Sequence, residues 1–310
     1  MPAKPLISFI VYNHDAEPAI LSQCLDSITQ LSLASADREI IVVDNGDSTE
    51  ALNILLGKDD EITYIHQRYM GVSAAYSMGL RMSTARYVQF VGSHDLLIRA
   101  PYEHCLDIAR YHNPDVVFYK NTDNPDNATT PFTYEGPMQG STYMKGNTIQ
   151  AAKIGYLFEK NVIVSEEFNE RIANKNEFLT KLLLRSERFF YTDSNAYMES
   201  RLSTLSTADA SIHAQRLAET EKTLQNMLKL VVPETDRPAM NRRIAQLTMD
   251  YLCDVIRTTH DNKTPVKTIE RLARKGLYPL PDRNYTKKNA YFRKMIGNPI
   301  TRNLLFYLIK

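Results

Sequence analysis

The sequence predicts an α/β fold: a mostly parallel central sheet flanked by helices, with a helical C-terminal region. Three observations predict it. Short apolar runs alternate with helix-period segments through the first hundred residues, the pattern of βαβ units. These runs are apolar on both faces, as strands are when helices cover both sides of a sheet. From about residue 206 the strand signals stop and helical periodicity continues, dividing the chain into an α/β domain at 1–205 and a helical region at 206–310.

The elements follow in order. "LISFIVY" (Leu6–Tyr12) reads as a first strand, and Ile20, Cys24, Leu25 and Ile28 recur at helical spacing after it. "EIIVVDN" is a second strand ending in an acid, and "STEALNILLG" a helix with Ser48 at its N-cap. "ITYIHQ" is a third strand, "GVSAAYSMGLRMS" a helix rich in small residues, and "YVQFVG" a fourth strand. A helix over "YEHCLDIARYH" leads to a strand over "DVVFYKN". Asn121 to Gly146 is loop-rich. "TIQAAKIGYLFEK" and "NEFLTKLLLRSE" read as helices, followed by a short strand over "RFFYTD". Three long helical stretches then start near residues 212, 237 and 266.

Composition narrows the function classes. At 310 residues, 43% hydrophobic and 24% charged, the chain is of ordinary globular type. A net charge of +1 gives no bulk attraction to nucleic acid, so none is expected as a partner. The three cysteines, Cys24, Cys105 and Cys253, form no metal-ligand spacing and suit a reducing compartment. No run of eighteen apolar residues exists, and the apolar stretch Leu6–Val11 is too short for a signal sequence. A cytoplasmic location is the expectation. The last segment interleaves Lys and Arg with Tyr285, Tyr291, Phe292, Phe306 and Tyr307, and from Lys267 onward the acids are Glu270 and Asp282 alone. Such a segment suits either peripheral contact with an anionic membrane or a packed helix with a solvated basic face.

Ligands of open α/β sheets collect beyond the carboxyl ends of the strands. Three ends here carry polar tips: Tyr12-Asn13-His14, Asp44-Asn45-Gly46 and Gly92-Ser93-His94-Asp95. Each alone is an ordinary cap or turn. Together they place polar groups along one crevice.

The order of these motifs resembles the family 2 glycosyltransferases of GT-A fold, of the bacterial surface-polysaccharide type. The resemblance rests on "YN" at Tyr12-Asn13, "CLDSI" at Cys24–Ile28, "IVVDNG" ending the second strand, "GVSAAYSMGL" at Gly71–Leu80 and the tip Gly92–Asp95. It extends more loosely to about residue 205. It implies a nucleotide-diphospho-sugar transferase that moves a sugar, with inversion, to a glycan or lipid-linked acceptor. On this resemblance Asp95 would hold a divalent cation, Mn²⁺ or Mg²⁺, that neutralises the leaving diphosphate. Tyr12, Asn13, Asp44, Ser93 and His94 would contact the nucleotide sugar, Asp44 meeting the base or ribose. An acid at the start of the acceptor-side helix would take the acceptor's proton.

The sequence departs from the family pattern at three places. Gly92 and His94 replace two of the usual acids, leaving Asp95. His94 is a ligand for a softer ion, a donor to phosphate, or a turn cap. Tyr76-Ser77 stands where Arg-Asn is usual, so Arg68 or Arg81 would have to supply the cation. The Glu-Asp pair of the family falls on Asn174-Lys175. Glu177 is the nearest acid and the expected base, though a first-turn helix Glu is also favoured by the helix dipole alone. Glu166 and Glu167 are the fallbacks. These departures keep a second reading open, a catalytically degenerate protein of the same fold that binds a nucleotide sugar or a partner transferase.

Overall fold

A computed structural model describes residues 4–47, 50–56, 62–68, 71–124, 131–163, 175–200, 210–259, 261–280 and 286–309. Ser48, Asn174, Glu166, Glu167 and Tyr285, named above, lie outside the described residues. The chain forms two compact units, residues 1–140 with 150–206 and residues 141–149 with 207–310.

The strands in chain order are β1 (Ile7–Asn13), β2 (Arg38–Asp44), β3 (Ile62–His66), β4 (Tyr87–Gly92), β5 (Leu96–Leu97), β6 (Val116–Thr122), β7 (Tyr134–Met138), β8 (Ile154–Glu159) and β9 (Phe189–Met198). Among the described residues they form one mixed sheet in the order β3-β2-β1-β4-β8-β6-β9-β5, with β7 also on β9. The helices are α1 (Pro18–Thr29), α2 (Glu50–Leu56), α3 (Val72–Met82), α4 (Arg99–His112), α5 (Gly140–Gly146), α6 (Lys175–Arg185), α7 (Ala210–Lys229), α8 (Arg237–Thr258), α9 (Lys263–Arg274), α10 (Lys287–Gly297) and α11 (Pro299–Ile309).

In the first unit, β3, β2, β1 and β4 run parallel, so their carboxyl ends share one edge. The register sets Asn13 beside Asp44 and Tyr12 beside Gly92. The three polar tips therefore converge, as the alternation of strands and helices requires. α1 buries Cys24, Leu25 and Ile28 of the expected periodic residues into a core with Phe9, Val11, Ile40 and Val42, and Leu21 takes the place expected of Ile20, which is half-buried. α3 approaches β1 so closely that a Cβ on Gly79 would run into the side chain of Ile10. Behind the sheet edge, the Gln89 amide holds three neighbours. Its oxygen accepts from Tyr102 (3.1 Å) and Tyr119 (2.6 Å), and its nitrogen donates to the Phe90 carbonyl (2.7 Å).

The other half of the sheet differs from the sequence expectation. "TIQAAKIGYLFEK" is not a helix: a 3₁₀ turn at Ala151–Lys153 leads into β8, which runs antiparallel between β4 and β6. β8 is buried on both faces, and a short apolar run of this kind has no period to separate strand from helix. The loop-rich stretch holds β7 and α5. The strand expected over "RFFYTD" runs on to Met198, because pairing with β6 and β7 up to Thr192 resumes with β6 and β5 from Asn195, carrying the chain across Asp193 and Ser194.

In the second unit, Glu221 on α7 binds three partners: Tyr251 of α8 (2.8 Å), Arg271 of α9 (2.8 Å) and Lys275 (2.5 Å). Fully buried Arg243 donates to the Ile149 carbonyl at 2.6 Å. Burial lowers its guanidinium to about 10, against the pull of Asp250. Among the described residues no helix is long and apolar enough to cross a membrane.

Candidate active site

A cavity of about 230 Å³ opens in the first unit, lined by Asp95, Lys175, Glu199, Asn121, Gln89 and an aromatic wall of Tyr76, Tyr156 and Tyr197. Its elements are β4 and the turn after it, the start of β8, the ends of β6 and β9, and the N-terminal parts of α3 and α6. The wall is rigid because Tyr76 stacks on Phe90 at 4.3 Å and meets Tyr12 edge-on at 6.2 Å. Thus Tyr76, where the resemblance leads one to expect Arg, presents an aromatic face to the cavity. Arg68 and Arg81 are both exposed and line no part of this cavity.

Asp95 projects from the turn after β4 and lies back across Gly92. A Cβ at residue 92 would stand 2.5 Å from Asp95 Oδ2. The Tyr197 hydroxyl donates to that oxygen at 2.7 Å, and the Ser200 N–H donates to Oδ1 at 2.9 Å. Burial pushes the carboxyl above the usual carboxylate range, and the hydrogen bonds from Ser200 and Tyr197 pull the other way. A side chain at residue 92 would therefore displace the Asp95 carboxylate from this place.

A carboxylate has about four acceptor positions, so the two bonds leave Asp95 able to take one more ligand on each oxygen. Among the described residues no group of three or more His, Cys, Asp or Glu converges. The donor set fits a hard divalent cation only where phosphate oxygens and water complete its shell. His94 adjoins Asp95 in the same turn, its Nδ1 3.3 Å from the Ser93 hydroxyl, and it does not line the cavity.

Asn13 and Asp44 are each 1% exposed. Asp44 accepts from Asn13 (3.0 Å), Gly46 N–H (3.0 Å) and Tyr64 (2.8 Å), so it braces the β1 and β2 tips. Buried acceptors without a partner remain beside it, Asn13 Oδ1 and Asn45 Oδ1. Such atoms call for N–H or O–H donors of the kind a nucleoside carries. Ser93 is buried, its N–H donating to the Tyr12 carbonyl at 2.9 Å.

Glu177 stands apart from the cavity-lining groups. It is 6% exposed and its Oε1 lies 2.8 Å from Lys181 Nζ, one turn along α6. The helix instead presents Lys175 to the cavity, and Lys175 Nζ lies 3.5 Å from Glu199 Oε1. Glu199, Asn121, Tyr156 and Lys175 had no place in the sequence reading of the site. The signal for Glu199 was present but hidden: a strand ending at Met198, rather than Asp193, puts it at a carboxyl tip.

The model of glycosyl transferase family 2 matches residues 8–199, and the chain belongs to that family. It is 22% identical over 189 residues to the poly(ribitol-phosphate) beta-N-acetylglucosaminyltransferase TarP of Staphylococcus aureus, covering 57% of this chain. The chain spans 58% of the length of that relative. Staphylococcus aureus TarS in complex with UDP-GlcNAc shares its fold, with a TM-score of 0.56 and 15% identity, covering 87% of this chain and 78% of that one. The mannosyltransferase PcManGT of Pyrobaculum calidifontis, in complex with GDP-Man and Mn²⁺, also superposes with a TM-score of 0.56. It is 13% identical, covering 99% of this chain and 86% of that one.

Proposed function

We propose that the protein is an inverting glycosyltransferase that moves a sugar from a nucleotide-diphosphate donor to a glycan or lipid-linked acceptor in surface-polysaccharide synthesis, of capsule or lipopolysaccharide type. The observation that carries this reading is the cavity at the carboxyl edge of the parallel strands, where Asp95 meets an aromatic wall. The orphan acceptors Asn13 Oδ1 and Asn45 Oδ1, braced by Asp44, take the nucleoside with Tyr12 beside them. Ser93 and His94 flank the diphosphate. Asp95 holds the divalent cation, Mn²⁺ or Mg²⁺, which supplies positive charge to the leaving group when bound. The relatives named above support donors of the UDP- or GDP-sugar class.

Peripheral contact with the inner membrane face is part of this reading. On α11, Ile300, Leu304, Tyr307 and Leu308 are 84%, 53%, 80% and 65% exposed and share one helix face at i, i+4, i+7 and i+8. Exposed Lys287, Lys288 and Lys294 accompany them, and no acid occurs in 286–309. An exposed apolar helix face next in sequence to exposed lysines, with no acid between them, is complementary to an anionic lipid surface. Buried, unpaired Cys24, Cys105 and Cys253 support a cytoplasmic location.

One observation favours the second reading, binding without turnover: the first residue of α6 is Lys175 rather than a carboxylate. Release of nucleoside diphosphate from UDP- and GDP-sugars, with Mn²⁺ and poly(ribitol phosphate) present, separates the two. Turnover abolished by Asp95→Ala supports the enzyme. Nucleotide binding without turnover across the donor panel sinks it.

A further inference from the structure

Two cavities of the first unit meet at Glu199. The first is that of Asp95 and Lys175. The second, about 480 Å³, is lined by Asn121, Thr122, Asp123, Lys153, Glu199 and Ser200. Glu199 and Asn121 line both. The second cavity is a polar groove, as a hydroxyl-bearing acceptor requires. Asn121 Oδ1 is buried and has no partner, while its Nδ2 is engaged by the Ala152 carbonyl at 3.2 Å. An acceptor hydroxyl reaching the first cavity from the second passes this amide oxygen and Glu199.

Resting on the transferase reading, we propose that Glu199 is the catalytic base of this chain. Among the described residues the cavity is lined by two carboxylates. Asp95 carries a hydrogen bond on each oxygen and gives its remaining acceptor positions to the cation, whereas Glu199 meets Lys175 through Oε1 alone. Its side chain is 42% exposed, open to an incoming substrate, whereas Glu177 is buried against Lys181. In the step, the acceptor oxygen attacks the anomeric carbon and gives its proton to Glu199. The bond from that carbon to the diphosphate oxygen breaks, and its electron pair leaves with the nucleoside diphosphate. Lys175, within ion-pair reach, orients the carboxylate from the position where the family has its acid. The base has thus moved across the cavity, from the start of α6 to the end of β9.

The test compares wild type, Glu199→Gln, Glu199→Asp and Glu177→Gln. It measures nucleoside diphosphate release from a panel of UDP- and GDP-sugars with Mn²⁺, with and without poly(ribitol phosphate), and nucleotide affinity by calorimetry. The expected result is a loss of about 10²–10⁴ in kcat for Glu199→Gln with unchanged nucleotide affinity. Glu199→Asp is expected to keep part of the rate, and Glu177→Gln to stay within about threefold wherever its melting temperature shows it folded. Wild-type turnover with full activity in Glu199→Gln overturns the base assignment and leaves the transferase reading standing. Absence of wild-type turnover overturns both.

Discussion

The Tyr197 hydroxyl joins two points of one strand tip: it donates to Asp95 Oδ2 at 2.7 Å and accepts from the Gly92 N–H at 3.1 Å. Tyr197→Phe removes a donor that favours the ionised carboxylate, so the Asp95 carboxyl, already raised by burial, moves further up. If the ionised form is the active one, the acid limb of the pH–rate profile shifts to higher pH. Stability falls by about 1–3 kcal/mol, because a buried acceptor and a backbone N–H lose their partner. Kinetics across pH and thermal unfolding check the two effects separately.

Gly92→Asp restores an acid to the tip on paper. In the structure its Cβ would sit 2.5 Å from Asp95 Oδ2, so the existing carboxylate must leave its place beside Tyr197. The variant is expected to lose at least about tenfold in turnover and about 1–3 kcal/mol in stability. Mn²⁺ titration of activity reads the outcome. A gain in turnover at low Mn²⁺ would show that the glycine is a lost ligand rather than a requirement of the turn.

Glu221 predicts acid sensitivity of the helical unit. Burial alone would raise its carboxyl, but hydrogen bonds from Lys275, Tyr251 and Arg271 outweigh it and hold the group below the usual Glu range. A folded-state value below the unfolded one adds stability above the unfolded value, and that stability is lost as pH falls through the folded one. Melting temperature is therefore expected to fall as pH drops through roughly 4.5 and below. Glu221→Gln flattens this dependence and costs about 1 kcal/mol near neutrality, since the two cations it leaves without their carboxylate are partly exposed and screened by solvent.

Gly79→Ala drives a methyl group into Ile10 at the contact of α3 with β1. A loss of about 1–3 kcal/mol is expected, and with Ile10→Ala, which removes the Cγ2 that the new methyl meets, the double variant should lose less than the sum of the two single ones. Thermal unfolding of the single and double variants measures the coupling.

For the membrane reading, Leu304→Ser with Tyr307→Ser removes apolar area from the exposed face of α11. Co-sedimentation with phosphatidylglycerol vesicles is expected to fall at least about tenfold, with turnover on a soluble acceptor unchanged. Equal sedimentation with neutral phosphatidylcholine vesicles would contradict the role given to the lysines.

The sequence by itself determined the parallel half of the sheet, the helices against it and the three polar tips. Those features are written in local periodicity, and parallel βαβ order then places Asn13, Asp44 and Gly92 at one edge. Tertiary structure alone decided the rest. β8 reads as a helix because a run buried on both faces carries no period, and its antiparallel place comes from pairing with β4 and β6. Glu199 was hidden as a site residue because long-range pairing sets where β9 ends. Partner strands carry β9 past three polar residues that look like a stop, and this long-range pairing brings Glu199 to Lys175, 24 positions earlier in the chain. Glu177, one helical turn from Lys181, is buried beside it and lines no part of the cavity, which the packing of α6 decides and the sequence does not.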